Sequence, residues 1–242
     1  MAELRVGTSG WHYRHWREVF YPPDLKTGDW LGYYSGSFDT VEINNSFYRL
    51  PSRANFESWA QQVPSGFTFA VKASRFITHV KKLKEPHESI SRLLENAEGL
   101  GGKLGPVLFQ LPPRWKKNVS RLEEFLKTLP AQHRYVFEFR DETWLHDDVY
   151  ALLEAANCAL CIASSPSFPQ SRQVTADFAF LRFHGGEDVY TSRYAYKDLK
   201  SWSTFATSLL QEGRDVYAYF NNDAFGYALE NAKTFRGLIL GG

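Results

Sequence analysis

Eight short runs rich in valine, isoleucine, phenylalanine and tyrosine recur along the chain, with helical patterns between most of them. They read LRVGTSG, TVEINNSF, TFAVKAS, PVLFQLP, YVFEFRD, ALCIASS, FAFLRFHG and VYAYFNND. Runs of this length, bounded by turn residues, form strands. Strands that alternate with helices pair in parallel, and eight of them close a barrel. The expected fold is an α/β protein, a (β/α)8 TIM barrel in one domain over residues 1–242, with an open doubly wound sheet as the fallback. A chain of 242 residues with 43% hydrophobic content can bury such a core.

The intervening patterns SRANFESWAQQV, PHESISRLLENAEGL, SRLEEFLKTLP, DDVYALLEAAN, DLKSWSTFATSLLQEG and AFGYALENAKTFRGLI have helical periodicity. Ser120 and Glu123 have capping-box spacing, and Pro130 marks the end of that helix. Two crossovers are weak. DWLGYYSG, in the first, is short, and SPSFPQSRQVTAD, in the sixth, has no helical period and is expected to be irregular.

Side chains alternate between the two faces of a strand, so in a barrel one set meets the helices and the other lines the interior. Val41 and Ile43 alternate with Glu42 and Asn44, and Phe137 and Phe139 with Glu138 and Arg140. In the same register Phe69 and Val71 are set against Lys72, Val107 and Phe109 against Gln110, and Leu181 and Phe183 against Arg182 and His184. The eighth strand permits either Tyr219 and Asn221 inward, or Asn222. Every one of these polar groups comes late in its strand, at the C-terminal mouth where barrels of this kind build their sites. Internal ion pairs that merely neutralise one another are the structural alternative. A ligand site is the stronger expectation, because an apolar interior would serve stability as well at lower cost.

Other classes recede. Lys and Arg total 28 against 27 Asp and Glu, so the chain lacks the positive field of a general nucleic-acid coat. No apolar run reaches the length of a membrane span, and MAELRVGTSG does not read as a secretory signal. With two cysteines and no disulfide framework, a cytoplasmic location is expected. Cys158 and Cys161 form a C-x-x-C, but residues three apart on a strand point to opposite faces and do not share a metal. The glycine-rich GLGGKLG precedes a strand instead of joining strand to helix, which suits a helix end and turn better than a phosphate cradle.

The ordered motifs GTSGW, VEINNSFY, FQLPP, FEFRDETW, LRFHG and YFNND, which run almost from end to end, resemble the DUF72, or YecE-like, family. The resemblance implies a TIM barrel, likened to the endonuclease IV and sugar-isomerase barrels, and it specifies no reaction. Metal-dependent barrels of that kind gather several ligands at the strand ends. Only Glu42, Glu138 and His184 stand in such places here, so neither a metal nor another cofactor is expected.

The first loop, WHYRHWREVFYPP, mixes Trp11, Tyr13 and Trp16 with His12, Arg14, His15 and Arg17. Later loops add Arg75, His79, Lys81, Lys82 and Lys84, then Arg114, Trp115, Lys116 and Lys117. Aromatic faces and cations together suit an anionic small molecule or a nucleic-acid segment at the mouth. The leading expectation is acid/base chemistry on a phosphate-bearing sugar, nucleotide or nucleic-acid ligand, of phosphoester-hydrolase or nuclease type. Glu138 and His184 would act as acid and base, assisted by Glu42. Lys72, Arg140 and Arg182 would stabilise negative charge, and Asn44, Gln110 and Asn221 would orient the ligand. Trp11, His12 and Tyr13 would form part of the rim, and Trp144 would lie nearest the ligand. A glycosidase using Glu42 and Glu138, or a non-catalytic anion-binding module, are the alternatives.

Overall fold

The computed structural model, which describes residues 2–241, has all eight strands: β1 (Leu4–Thr8), β2 (Thr40–Ile43), β3 (Thr68–Lys72), β4 (Leu104–Gln110), β5 (Tyr135–Glu138), β6 (Ala159–Ser164), β7 (Phe178–Phe183) and β8 (Asp215–Phe220). They pair in parallel in the order β1-β8-β7-β6-β5-β4-β3-β2. A single bridge, Ser9 with Glu42, joins β1 to β2 and nearly closes the barrel. At this joint the backbones come so close that a Cβ at Gly7 would run into the Thr40 carbonyl oxygen. Tyr34 fastens the same place, because its hydroxyl receives the Thr8 N–H at 3.0 Å and donates to the Thr40 carbonyl at 3.1 Å.

Helices cover the outside: α1 (Trp30–Ser35), α2 (Arg53–Gln61), α3 (Pro86–Ala97), α4 (Val119–Leu126), α5 (Asp147–Ala155), α6 (Tyr196–Gln211) and α7 (Tyr227–Leu240). The first is short, and no helix lies between β6 and β7, in line with the sequence pattern. The expected Ser120–Glu123 capping box is not formed. Asn118 takes the N-cap position two residues earlier and accepts the Arg121 N–H at 3.0 Å, which leaves Ser120 inside the helix. No helix among the described residues is long and apolar enough to cross a membrane.

The alternation read from the sequence sorts the core. Val41, Ile43, Phe69, Val71, Val107, Phe109, Phe137, Leu181 and Phe183 join the helices' Leu93, Phe125 and Phe235 in one buried cluster. Ala70, Leu108, Val136, Phe178, Phe180, Tyr217 and Tyr219 form a second, inside the barrel. Each large side chain removed from water contributes about 1.5–3 kcal/mol, so reversing the register of one strand would expose several such contributions at once. Cys158 belongs to the outer cluster and Cys161 to the inner, so the two thiols lie on opposite faces of β6 and both are free. The glycine-rich segment forms a 3-10 turn, Glu98–Lys103, kinked at Gly101 and running straight into β4.

Candidate active site at the C-terminal mouth

The last inward positions of the strands carry an ion network. Arg182, at the end of β7, directs Nη2 to Glu42 Oε1 on β2 at 2.7 Å and Nη1 to Glu138 Oε2 on β5. Arg140, just beyond β5, pairs with Glu138 Oε1. Glu42, Glu138, Arg182 and His184 are buried, and the Arg140 side chain is 6% exposed. Burial alone would raise the Glu138 carboxyl, but the Arg140 and Arg182 guanidinium groups overcome it and hold Glu138 well below the usual carboxylate range. Glu138 is therefore a fixed anion.

His184 sits beside this network with Nε2 3.5 Å from Glu138 Oε1 and Nδ1 3.3 Å from the Asn221 amide nitrogen. An amide donor on Nδ1 leaves the ring proton on Nε2, facing Glu138. Burial pushes the imidazole down to about 3 in spite of that carboxylate, so the ring is neutral near pH 7. Phe168, from the helix-free sixth crossover, lies edge-on to His184 at 5.1 Å and receives the Arg140 guanidinium over its face at 3.6 Å. After β7 the chain turns at Gly185, where φ is +127° and a Cβ would strike the Asp188 carbonyl, and returns Tyr190 to within 5.7 Å of His184 and 6.5 Å of Phe168.

Above the network lies a cavity of ≈ 450 Å³ lined by Tyr13, Asn44, Tyr48, Lys72, Tyr190, Asn221 and Asp223. That volume suits a small ligand. Lys72, at the end of β3, is the only cation in this lining. Ser46 donates to the Lys72 carbonyl at 2.6 Å and so ties the turn Asn45–Phe47 beneath it. The Phe47 ring centre then lies 4.3 Å from the ammonium. No carboxylate comes within ion-pair distance of Lys72 among the described residues, because Glu42 and Glu138 are engaged by the two arginines. Burial, followed by the repulsion of Arg182, brings the Lys72 ammonium down to about 8. The network with Lys72 thus holds three cations against two carboxylates, with the third carboxylate of the site, Asp223, in the cavity lining.

Asp223 is the only carboxylate in the lining, and burial raises it. Its side chain is 3.6 Å from His15, while its carbonyl accepts the Trp16 indole N–H at 3.0 Å. Asn44 has a buried Oδ1 without a hydrogen-bond partner, and Tyr13 donates to the Ser9 carbonyl. His79 sits beside Phe47 at 5.0 Å; burial and then the nearby Lys72 push it down to about 4.

Of the residues singled out from the sequence, Tyr13, Asn44, Lys72 and Asn221 reach the cavity, whereas Glu42, Glu138, Arg140 and Arg182 form the buried ion network, with the neutral His184 beside it. The eighth strand settles on Tyr219 and Asn221 inward. Asn222 instead donates from outside the barrel to Asn231 and to the Ser192 carbonyl, both at 2.9 Å. Gln110 stands in register with Glu138 but is absent from the cavity lining. Trp11 is buried edge-on to Trp59 at 5.3 Å, and His12 packs at 5.0 Å on Trp30, so neither meets the cavity. Trp144 does not either: the turn Glu142–Trp144 swings it to the helix-facing side, fully buried and stacked on Phe139 at 4.9 Å. Part of the basic rim is also spoken for, since Lys81 pairs with Glu85 and Lys117 with Asp148.

Tyr48, Tyr190, Phe168 and Asp223 were not singled out from the sequence. All four lie on loops beyond strand alternation; the available signals were the positions of Tyr48 at the end of the VEINNSFY motif and of Asp223 at the end of YFNND. No group of three or more His, Cys, Asp or Glu side chains among the described residues is placed to hold a metal ion.

Comparison with known proteins yields the same fold. The family model "Protein of unknown function DUF72" matches residues 5–240. The UPF0759 protein YunF of Bacillus subtilis (strain 168) is 26% identical over 270 aligned positions, which span 98% of this chain and 94% of that one. A crystal structure of a DUF72 family protein from Thermotoga maritima MSB8 superposes with a TM-score of 0.89 at 29% identity, covering 98% of this chain and 99% of that one. One from Enterococcus faecalis V583 does so with a TM-score of 0.84 at 19% identity, covering 98% and 95%.

Proposed function

The chain belongs to the DUF72 family, and on that premise we propose that it is an enzyme acting by acid/base chemistry on a small phosphate-bearing sugar or nucleotide held at the barrel mouth. The observation that supports this reading is Lys72: an ammonium in a ligand-sized cavity, without a carboxylate partner, backed by two guanidinium groups. A cation outside any ion pair in a partly desolvated site attracts an anion. The Asp223 carboxylate and the Asn44 and Asn221 amides suit the hydroxyls of a sugar, and Tyr48 and Tyr190 offer flat faces to its ring.

Roles shift from those the sequence suggested. Glu138, a fixed anion, and His184, neutral, are poorly suited to exchange protons near pH 7; they set the field in which Lys72 works. Lys72, at about 8, is poised to give or take a proton. A glycosidase built on Glu42 and Glu138 is disfavoured, since both carboxylates are buried against one guanidinium and Glu138 is held as an anion.

Calorimetric titration with paired sugars, with and without a phosphate, tests the reading. The phosphate-bearing partner is expected to bind at least tenfold more tightly, with that preference lost in Lys72→Met, and mass spectrometry is expected to detect a product. Equal affinity for both partners sinks the proposal, and tight binding without any product over long incubation reduces it to a binding module.

A further inference from the structure

Beyond proton transfer, the surroundings of Lys72 suit bond formation. Its amine points into the cavity instead of an ion pair, and it makes no hydrogen bond among the described residues. The Phe47 face at 4.3 Å gives one side of the amine an apolar neighbour. Burial is the chief influence that strips a proton from Nζ; Arg182 and Arg140 repel that proton while Glu42 and Glu138 attract it, and the arginines, occupied by those carboxylates, leave the nitrogen unblocked. An amine that gives up its proton near neutrality is a nucleophile towards carbonyl carbon.

We propose that Lys72 forms an imine with the open-chain aldehyde or ketone of a phosphate-bearing sugar, a step that rests on the anionic-ligand reading above. The neutral amine attacks the carbonyl carbon through its lone pair, and the carbonyl oxygen takes up a proton. The resulting carbinolamine nitrogen loses a proton to solvent. The hydroxyl leaves as water after gaining one, which forms the C=N bond of a protonated imine. The iminium then draws electrons from the neighbouring carbon, so the substrate class is a sugar phosphate whose carbon–hydrogen or carbon–carbon bond next to the carbonyl is broken. No electrons are gained or lost overall, and water is the only by-product of imine formation.

The test uses glyceraldehyde 3-phosphate with cyanoborohydride at pH 8, whose hydride adds to the iminium carbon and fixes the adduct as a secondary amine. Peptide mapping is expected to find Lys72 modified at least tenfold faster than the exposed Lys82, Lys84 and Lys116. Modification of Lys72 no faster than of those lysines overturns the proposal. Sorbitol 6-phosphate, which has no carbonyl, separates the imine from the anion site. If it binds while glyceraldehyde 3-phosphate leaves Lys72 unmodified, the imine fails and the anion reading stands. If unphosphorylated glyceraldehyde labels Lys72 as fast as the phosphate does, the imine stands and the anion reading fails. Lys72→Arg keeps the charge but cannot form the imine. Its circular dichroism is expected to match the parent, and it is expected to bind sorbitol 6-phosphate without being labelled at position 72.

Discussion

The guanidinium of Arg182 meets the carboxylate of Glu42 at 2.7 Å across the barrel interior, although 140 residues separate them in the chain. The same guanidinium holds Glu138, so a single side chain bridges carboxylates from two strands, and Arg140 supplies the second positive charge. Arg182→Met leaves the buried Glu42 without a cation and Glu138 with Arg140 alone, and is expected to cost about 3–5 kcal/mol in urea unfolding. Glu42→Gln leaves the Arg182–Glu138 pair in place and is expected to cost less, about 1–3 kcal/mol. The double variant is expected to be more stable than Arg182→Met alone. If Arg182→Met loses under 1 kcal/mol, the network is not holding the mouth together.

Lys72 stands against stability. Its folded value, about 8, lies below the 10.5 of a free lysine. The unfolded chain therefore binds the extra proton between those values, so stability rises with pH from 8 to 10.5 and the penalty is fully present below 8. Lys72→Met is expected to stabilise the protein by about 1–3 kcal/mol at pH 7, and to remove that rise, while abolishing the reactions proposed for the site. Thermal unfolding at pH 7, 8 and 9.5 checks both effects, and a less stable variant would contradict them.

Acid acts through the histidines first. His184 falls from 6.5 to about 3 on folding and His79 to about 4, so the unfolded state takes more protons in this window. The stability they contribute is present above pH 6.5 and is lost as pH falls, at about 1.4 kcal/mol per unit for each histidine wholly within its window. Glu138 adds to the loss only below its usual 4.5. Unfolding at pH 6.5, 5.5 and 4.5 is expected to show a shallower decline in His184→Gln than in the parent; parallel slopes would rule out a neutral buried imidazole.

Trp144 serves packing. Trp144→Ala opens a space against Phe139 and is expected to cost about 3–5 kcal/mol. In protein that remains folded, affinity for a sugar phosphate is expected to stay within a factor of two of the parent. A tenfold loss would return Trp144 to the site.

The two thiols are expected to be inert in the native state, since burial raises both, Cys158 to about 12 and Cys161 well above its ordinary value. Ellman's reagent is expected to titrate neither before unfolding and both in guanidinium; rapid reaction of the folded protein would mean an open β6.

How far the sequence could be read depended on periodicity. Glu42, Glu138 and Arg182 were legible because strict alternation with Val41, Phe137 and Leu181 leaves only one face for them. Their partners were not, because alternation says which way a side chain points and nothing about which strand lies across the interior. Reasoning failed just past the strand ends: one 3-10 turn carried Trp144 outward, and Asn222 followed Asn221 onto the opposite face. Tyr48, Tyr190 and Phe168 reach the mouth through loop conformations with no period to read. The acid/base roles given to Glu138 and His184 depended on charge state, which the sequence does not carry: two guanidiniums fix one group, and burial neutralises the other.

The joint between β1 and β2 has a consequence for motion. Elsewhere the ring is laced by runs of paired residues; here it depends on the Ser9–Glu42 bridge and the Tyr34 hydroxyl. Tyr13 follows one strand and Asn44 the other, so two walls of the cavity stand on opposite banks of the weakest seam. Any opening of the ring at that seam would move those two walls apart. One added methyl at Gly7 would press on the same seam, against the Thr40 carbonyl.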